Sequence, residues 1–166
     1  MNVATLDTPA GPFTAVTDED GAVLASGWTA AADDLVPLIH PDLRGDGALR
    51  PRADLGPVTE AARAYHEGDL DAIQDVPVVQ RSGDFLMHAW VVLRTVEPGE
   101  PVTYADYAAM AGRPAAVRAA ASACARNAAA LFVPCHRVVR TGGGLGGFRW
   151  GTEVKQWLLD HEARPA

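Results

Sequence analysis

The chain is 166 residues long and 48% apolar, enough for packed cores in one medium domain or in a small domain joined to a larger one, which excludes a disordered or fibrous polypeptide. It shows no basic-then-apolar leader, and its longest apolar run, residues 128–133, is far too short to cross a bilayer, so a cytoplasmic protein without membrane partners is expected. The net charge of −7 speaks against a generic nucleic-acid binder, yet residues 1–100 carry 17 acidic and 6 basic side chains while residues 101–150 carry six arginines against Asp106 alone. That stretch either meets an anionic partner while the acidic part is turned away or is simply arginine-rich, and charge alone leaves both open.

Residues 2–7, 13–17 and 22–28 alternate and are separated by turn residues at 9–12 and 18–21, the pattern of a small antiparallel meander. Residues 41–57, rich in Pro, Gly, Asp and Arg without a sustained period, read as a surface loop. A short helix is expected over 58–65, a strand or extended linker over 75–80, and a domain boundary near residue 80. From Ser82 the period changes: Phe85, Ala89, Val92 and Leu93, flanked by Leu86 and Trp90, share one side of a core helix that stops before Pro98-Gly99. Thr103-Tyr104-Ala105-Asp106 is a capping box opening a helix that runs to Met110 and ends at Gly112. Pro114 suits the first position of a second helix, Ala115 to Arg126. Two short helices around a tight glycine-containing turn make either a helix-turn-helix or an ordinary helical hairpin. The second helix is nearly all alanine around Arg118; small side chains let a helix lie in a confined groove and insert one long side chain, but alanine is also the best helix former. A last helix is expected over Thr152–Glu162, with Val154, Trp157 and Leu158 as its apolar stripe.

The two cysteines, Cys124 and Cys135, form neither a disulfide framework nor a four-ligand zinc pattern, so reduced thiols and no metal are expected. Cys135 sits in Val133-Pro134-Cys135-His136-Arg137-Val138. A cysteine becomes a strong nucleophile when a base or a positive environment lowers its pKa from the free value of about 8.5, and His136 is the candidate base. Adjacent residues of an extended chain point to opposite sides, so a bridging water is expected between the two rather than direct contact. An acidic residue of the last helix would orient the imidazole. On the residues alone, the pair is either an activated nucleophile or a buried structural thiol beside a surface histidine. Cys124 is likewise either a pocket residue or a small buried apolar side chain. The run Gly142-Gly143-Gly144-Leu145-Gly146-Gly147 lacks the Lys-Ser/Thr ending of a phosphate loop and reads as a flexible pocket rim.

Pro-Cys-His-Arg-Val following a helix-turn-helix closely resembles the O6-alkylguanine-DNA alkyltransferases, or methylated-DNA–protein-cysteine methyltransferases. The resemblance runs nearly continuously from Phe85 to Glu162. It takes in Val102-Thr103-Tyr104, Ala111-Gly112, Arg118, Arg126-Asn127, residues 133–139, Gly146-Gly147-Phe148-Arg149-Trp150-Gly151 and Lys155-Gln156-Trp157-Leu158-Leu159. It is weaker upstream, where Thr8-Pro9-Ala10-Gly11-Pro12 and Gly21-Ala22-Val23-Leu24 look like the family's N-terminal sheet domain and residues 30–80 match loosely.

This resemblance implies an α+β fold: a small N-terminal antiparallel sheet domain over 1–80 and a helical, winged-helix-like C-terminal domain over 81–166. It implies DNA repair by direct, irreversible transfer of an alkyl group from O6-alkylguanine, with O4-alkylthymine as a further candidate, to the thiol of Cys135. One molecule would act once, as a monomer on double-stranded DNA, without a cofactor. His136 and Glu162 match a Glu–His–water–Cys relay, and Asn127 matches the side chain bracing the turn before the active-site loop. Tyr104 matches the residue that crowds the target phosphate and donates a proton or hydrogen bond to the base. Arg118 matches the finger that fills the gap in the duplex, and Ala119 and Arg126 fall with it on the DNA-binding side. Cys124, Val138, Gly146, Phe148, Arg149 and Trp150 match the guanine pocket and its rim.

Elementary chemistry agrees. The O6 carbon is out of reach inside a stacked duplex, so the nucleotide must be extruded at a cost of about a few kcal/mol. Displacement at a saturated carbon needs a thiolate and a stabilised leaving group but no metal or oxyanion hole. A thioether offers water no carbonyl to attack, so the thiol is not regenerated. Phe148 stands where many relatives have tyrosine, Ala128 where a proline often follows the asparagine, and Trp150 where some have glycine, which points to a narrower pocket for large O6 substituents. Three rival functions would each need features of their own. A non-enzymatic sensor would lack the cysteine, a transcriptional regulator would carry a polar recognition helix, and a Cys-His hydrolase would need oxyanion donors.

Overall fold

Alternation of apolar and polar residues shapes the first unit. In the computed structural model, which describes residues 1–163, β1 (Asn2–Thr8) and β2 (Gly11–Thr17) form an antiparallel hairpin, registered from Asn2 opposite Thr17 to Thr8 opposite Gly11. Val3, Ala4 and Leu6 are buried while Thr5 and Asp7 are exposed, as a half-covered strand requires. β3 (Val23–Gly27) pairs antiparallel with β2 and is buried along its whole length. The expected sheet is antiparallel, but a two-residue strand, β4 (Arg50–Pro51), pairs parallel with β1, so the sheet is mixed, in the order β3-β2-β1-β4. Residues 41–57 are therefore not wholly loop. They contain a short 3₁₀ turn (Pro41–Leu43), β4 and the first residue of α1 (Pro57–His66). Short spacing between prolines and glycines hid a strand of two residues from any periodicity.

The chain divides into two compact units, Met1–Arg81 with Ala128–Phe132, and Ser82–Asn127 with the described residues from Val133 onward. Ala128–Phe132 belongs to the first unit because its backbone needs partners once buried. Ser26 donates from its N–H to the Ala128 carbonyl (2.8 Å) and from its hydroxyl to the Ala130 carbonyl (2.6 Å), and the Ala128 N–H donates to the Gln80 side chain (2.9 Å). Of the stretch expected as a strand or extended linker, Asp75 still belongs to a turn, and only Val78 pairs, in an isolated parallel bridge to Val23.

In the second unit α2 (Asp84–Leu93) buries Ala89, Trp90 and Leu93 and packs on α4 (Val117–Ala125), which also packs on α3 (Tyr104–Met110). Phe85, Leu86 and Val92 are only half-buried. The buried aromatics on this face find partners: Trp90 Nε1 donates to the Ala123 carbonyl (2.8 Å), and the Tyr107 hydroxyl to the Ala89 carbonyl (2.6 Å). Fully buried Ala120 and Ala123 allow that approach, which gives the alanine-rich helix a packing reason. The Thr103 capping box is present: its hydroxyl accepts from the Asp106 N–H (3.0 Å), and the Thr103 N–H donates to the Asp106 carboxylate (3.4 Å). α4, however, begins at Val117, not with Pro114 and Ala115. The Ala116 N–H donates to the Arg113 carbonyl, closing a separate turn, and Ala116 itself has non-helical dihedrals. β5 (Val102–Thr103) and β6 (Val138–Val139) pair parallel, and α5 is Thr152–Glu162. The buried face of α5 is Lys155, Leu158, His161 and Glu162, while Val154 and Trp157 of the expected stripe are half-buried. No helix among the described residues is long and apolar enough to cross a membrane.

Candidate active site

The second unit concentrates chemically active side chains where α4 ends. Arg126 closes the helix, and Asn127, buried behind it, donates from its amide to the Val133 carbonyl (2.8 Å), which fixes the chain on its way to Cys135. Residues Cys135–Arg137 form a single 3₁₀ turn rather than the extended segment expected, because the Arg137 N–H donates to the Pro134 carbonyl (3.0 Å). The turn holds three buried side chains, Cys135, His136 and Arg137.

His136, fully buried, shares a 2.7 Å hydrogen bond between Nε2 and Glu162 Oε2. Its other nitrogen, Nδ1, is buried and finds no hydrogen-bond partner among the described residues. Arg137 grips the same carboxylate from a second side, Nε donating to Oε1 (2.9 Å) and Nη2 to Oε2 (3.0 Å), while Nη1 donates to the Val96 carbonyl (2.7 Å). Burial alone would raise the Glu162 pKa, but His136 and Arg137 outweigh it and hold the carboxyl well below the usual carboxylate range. Burial pushes the His136 imidazole down, against the pull of Glu162 and with the help of Arg137 and Lys155. Burial thus favours an uncharged imidazole, bonded to a carboxylate that Arg137 already pairs.

Burial raises the Cys135 thiol, and the Asn127 side-chain hydrogen bond and the Lys155 ammonium draw it back. Lys155 is completely buried; its Nζ donates to the Val138 carbonyl (2.7 Å) and more weakly to the Gly147 carbonyl (3.4 Å), and lies 5.9 Å from the Tyr104 ring centre. Burial pushes the Cys124 thiol far up with only Lys155 against it, and burial carries the half-buried Tyr104 phenol to about 12. Tyr104 touches the glycine loop: Gly146 has φ +77, and a Cβ there would come within 2.8 Å of the Tyr104 hydroxyl. Only glycine fits both the backbone and the ring. Arg149, exposed, ties the same loop to the end of α4 by donating to the Ala125 carbonyl (2.6 Å). Phe148 and Trp150 beside it are half-buried, Val138 is fully buried, and Arg118 and Arg126 are exposed with Ala119 half-buried between them.

Residues 84–164 match the family described as 6-O-methylguanine DNA methyltransferase, DNA binding domain. The chain is 33% identical over 156 residues to the methylated-DNA–protein-cysteine methyltransferase of Shigella flexneri, spanning 93% of this chain and 91% of that protein. It is 34% identical to the protein of that name from Homo sapiens, over 98% of this chain and 80% of the human one. The chain belongs to the methylated-DNA–protein-cysteine methyltransferase family. Membership carries the activity named, transfer of a methyl group from DNA to a protein cysteine, and the α+β fold agrees. A solved Mycobacterium tuberculosis O6-methylguanine methyltransferase superposes with a TM-score of 0.79 at 29% identity, covering 99% of this chain and 95% of that one. A Mycobacterium tuberculosis structure in complex with DNA gives 0.80 at 27% identity, covering 98% and 93%.

Among the sequence-based candidates, Cys135, His136, Glu162 and Asn127 converge, Tyr104 and Cys124 lie within electrostatic reach of the Cys135 thiol, and Gly146 and Arg149 fix the loop. Lys155, Arg137 and Gly99 join the site although none of them is a sequence-based candidate. Lys155 had a signal, since it stands seven residues before Glu162 and so shares its helix face. Gly99 had none: with φ +79, a Cβ would meet the Glu162 carbonyl at 3.0 Å.

Proposed function

We propose that Cys135 accepts an alkyl group from O6 of guanine in double-stranded DNA, once per molecule, and that the chain acts as a monomer. The observation that carries this reading is the buried His136–Glu162 pair beside a buried thiol, with His136 Nδ1 left without a hydrogen-bond partner among the described residues. Nε2–H donates to Glu162, so Nδ1 holds a lone pair that can receive the thiol proton through one water. The thiolate then attacks the alkyl carbon. The carbon–O6 bond breaks, its electron pair passes to guanine, and a thioether forms on Sγ. Asn127 and the Lys155 ammonium stabilise the thiolate while it exists. Tyr104 keeps its proton across the physiological range and can donate a hydrogen bond to the departing base.

Arg118, exposed on α4, fills the space vacated by the extruded nucleotide, and Ala119 and Arg126 border the same DNA-facing surface. Phe148 and Trp150 narrow the pocket towards small substituents, with Cys124, Val138, Gly146 and Arg149 completing its wall. Cys124 is the rival thiol; burial raises both thiols, but the Asn127 side-chain hydrogen bond that draws the Cys135 thiol back does not act on Cys124. Incubation with an O6-methylguanine duplex followed by peptide mass spectrometry tests the assignment. One methyl per molecule on the Cys135 peptide is expected; methyl on Cys124, or many turnovers per molecule, overturns it.

A further inference from the structure

We propose that Arg137 is a positioning residue for the proton relay: by holding the Glu162 carboxylate in a buried two-pronged ion pair, it leaves His136 uncharged at rest and free to take a proton. The proposal deepens the reading of Cys135, His136 and Glu162 given above and rests on it.

Arg137 and Glu162 are each 4% exposed, and their guanidinium and carboxylate meet through two hydrogen bonds of 2.9 and 3.0 Å. That pair is neutral, so Arg137, Glu162 and His136 together carry no net charge only while His136 is neutral. The charged groups acting on His136 are Glu162 and Lys155 from α5, and Arg137 from its own turn. Protonating His136 at rest would place a third cation beside Arg137 and Lys155 in a buried site, which is costly without a further anion. Remove the guanidinium, and the balance reverses. Glu162 would then be a buried carboxylate with His136 as its nearest partner, and an imidazolium would be the group that compensates it. A histidine already protonated cannot receive a proton from Cys135.

Geometry adds a second effect. Glu162 Oε2 accepts from both His136 Nε2 and Arg137 Nη2, so the planar fork sets the carboxylate orientation and with it the edge offered to the imidazole. Nε2–H is the tautomer that fits this acceptor, which leaves the lone pair on Nδ1, the nitrogen without a hydrogen-bond partner among the described residues. The Val96 carbonyl, 2.7 Å from Nη1, anchors the far side of the fork so that it cannot swing away. Arg137 therefore acts through Glu162 and touches neither the thiol nor the alkyl group.

The test is an imidazole nitrogen NMR titration of the full chain, with the His136 signal assigned by its loss in His136→Gln. In the unsubstituted protein at neutral pH the signal should report a neutral Nε2–H tautomer; an imidazolium there overturns the proposal without any Arg137 variant. In Arg137→Met the titration midpoint should rise by at least about one pH unit, as expected when a carboxylate faces a histidine alone. Arg137→Lys, which keeps the charge, should stay near the unsubstituted value. An unchanged midpoint in a folded Arg137→Met, or an equal rise in both variants, overturns the proposal. Because this readout needs no alkyl transfer, it is separable from the mapping of the methyl group: a shifted midpoint with methyl on another residue would condemn the acceptor assignment and leave the charge argument intact.

Discussion

Glu162 and His136 show how one buried pair links stability to pH. The Glu162 carboxyl is depressed in the folded chain, so its contribution is present above the ordinary carboxylate range and is lost as pH falls towards the folded value. The His136 imidazole is also depressed. It stays neutral in the folded chain where an unfolded histidine, near 6.5, takes up a proton, so acid favours the unfolded state from about pH 6.5 downward. The urea midpoint should therefore fall as pH drops from 6.5 to 4.5, and the slope should flatten in His136→Gln. An equal slope in both proteins would show that His136 titrates alike in the folded and unfolded chains. The motif naming Cys135 and His136 was legible because the two are adjacent in sequence. Their partners Lys155 and Glu162 are brought in by a helix that starts fourteen residues beyond Val138, and no local period reports that.

At the scale of the element, α4 serves two faces. Its buried side, Ala120 and Ala123, packs on α2, and its exposed side carries Arg118. The alanine composition is consistent with both a packing role and a groove-entering role, so the sequence left them open together. Arg118→Ala separates them. It should slow repair of an O6-methylguanine duplex far more than reaction with the free base, which has no stacking to lose. Equal losses on the two substrates would indicate a pocket or folding effect, and no loss on either would remove the finger assignment. The start of α4 was misplaced because Pro114 is compatible with a helix start and with a turn, and the hydrogen bond from Ala116 to Arg113 decides for the turn. The glycine loop after β6 reads as a flexible rim, yet Tyr104, Lys155 and Arg149 each hold part of it, through partners 42, 8 and 24 positions away in sequence.

Charge distribution is a property of the whole molecule. Of the six arginines in residues 101–150, Arg137 is buried and internally paired, leaving Arg113, Arg118, Arg126, Arg140 and Arg149 at the surface of an otherwise acidic chain. With about five cations available, the logarithm of the DNA association constant should fall with the logarithm of salt concentration at a slope no steeper than about −5. A steeper slope would mean that basic residues outside this segment reach the phosphates.

The sequence by itself determined the local devices: the hairpin, the capping box at Thr103, the last helix, the motif around Cys135 and the family they point to. Each depends on neighbours within a few residues, where backbone sterics and side-chain period act directly. Tertiary structure alone decided the parallel pairing of Arg50–Pro51 with β1, the placement of Ala128–Phe132 in the first unit, and the ion pair that couples Arg137 to Glu162. These are long-range pairings of polar groups. A buried carbonyl, carboxylate or guanidinium must find a partner somewhere, but which one it finds is set by where packing of the apolar faces brings the chain, not by its own sequence neighbourhood.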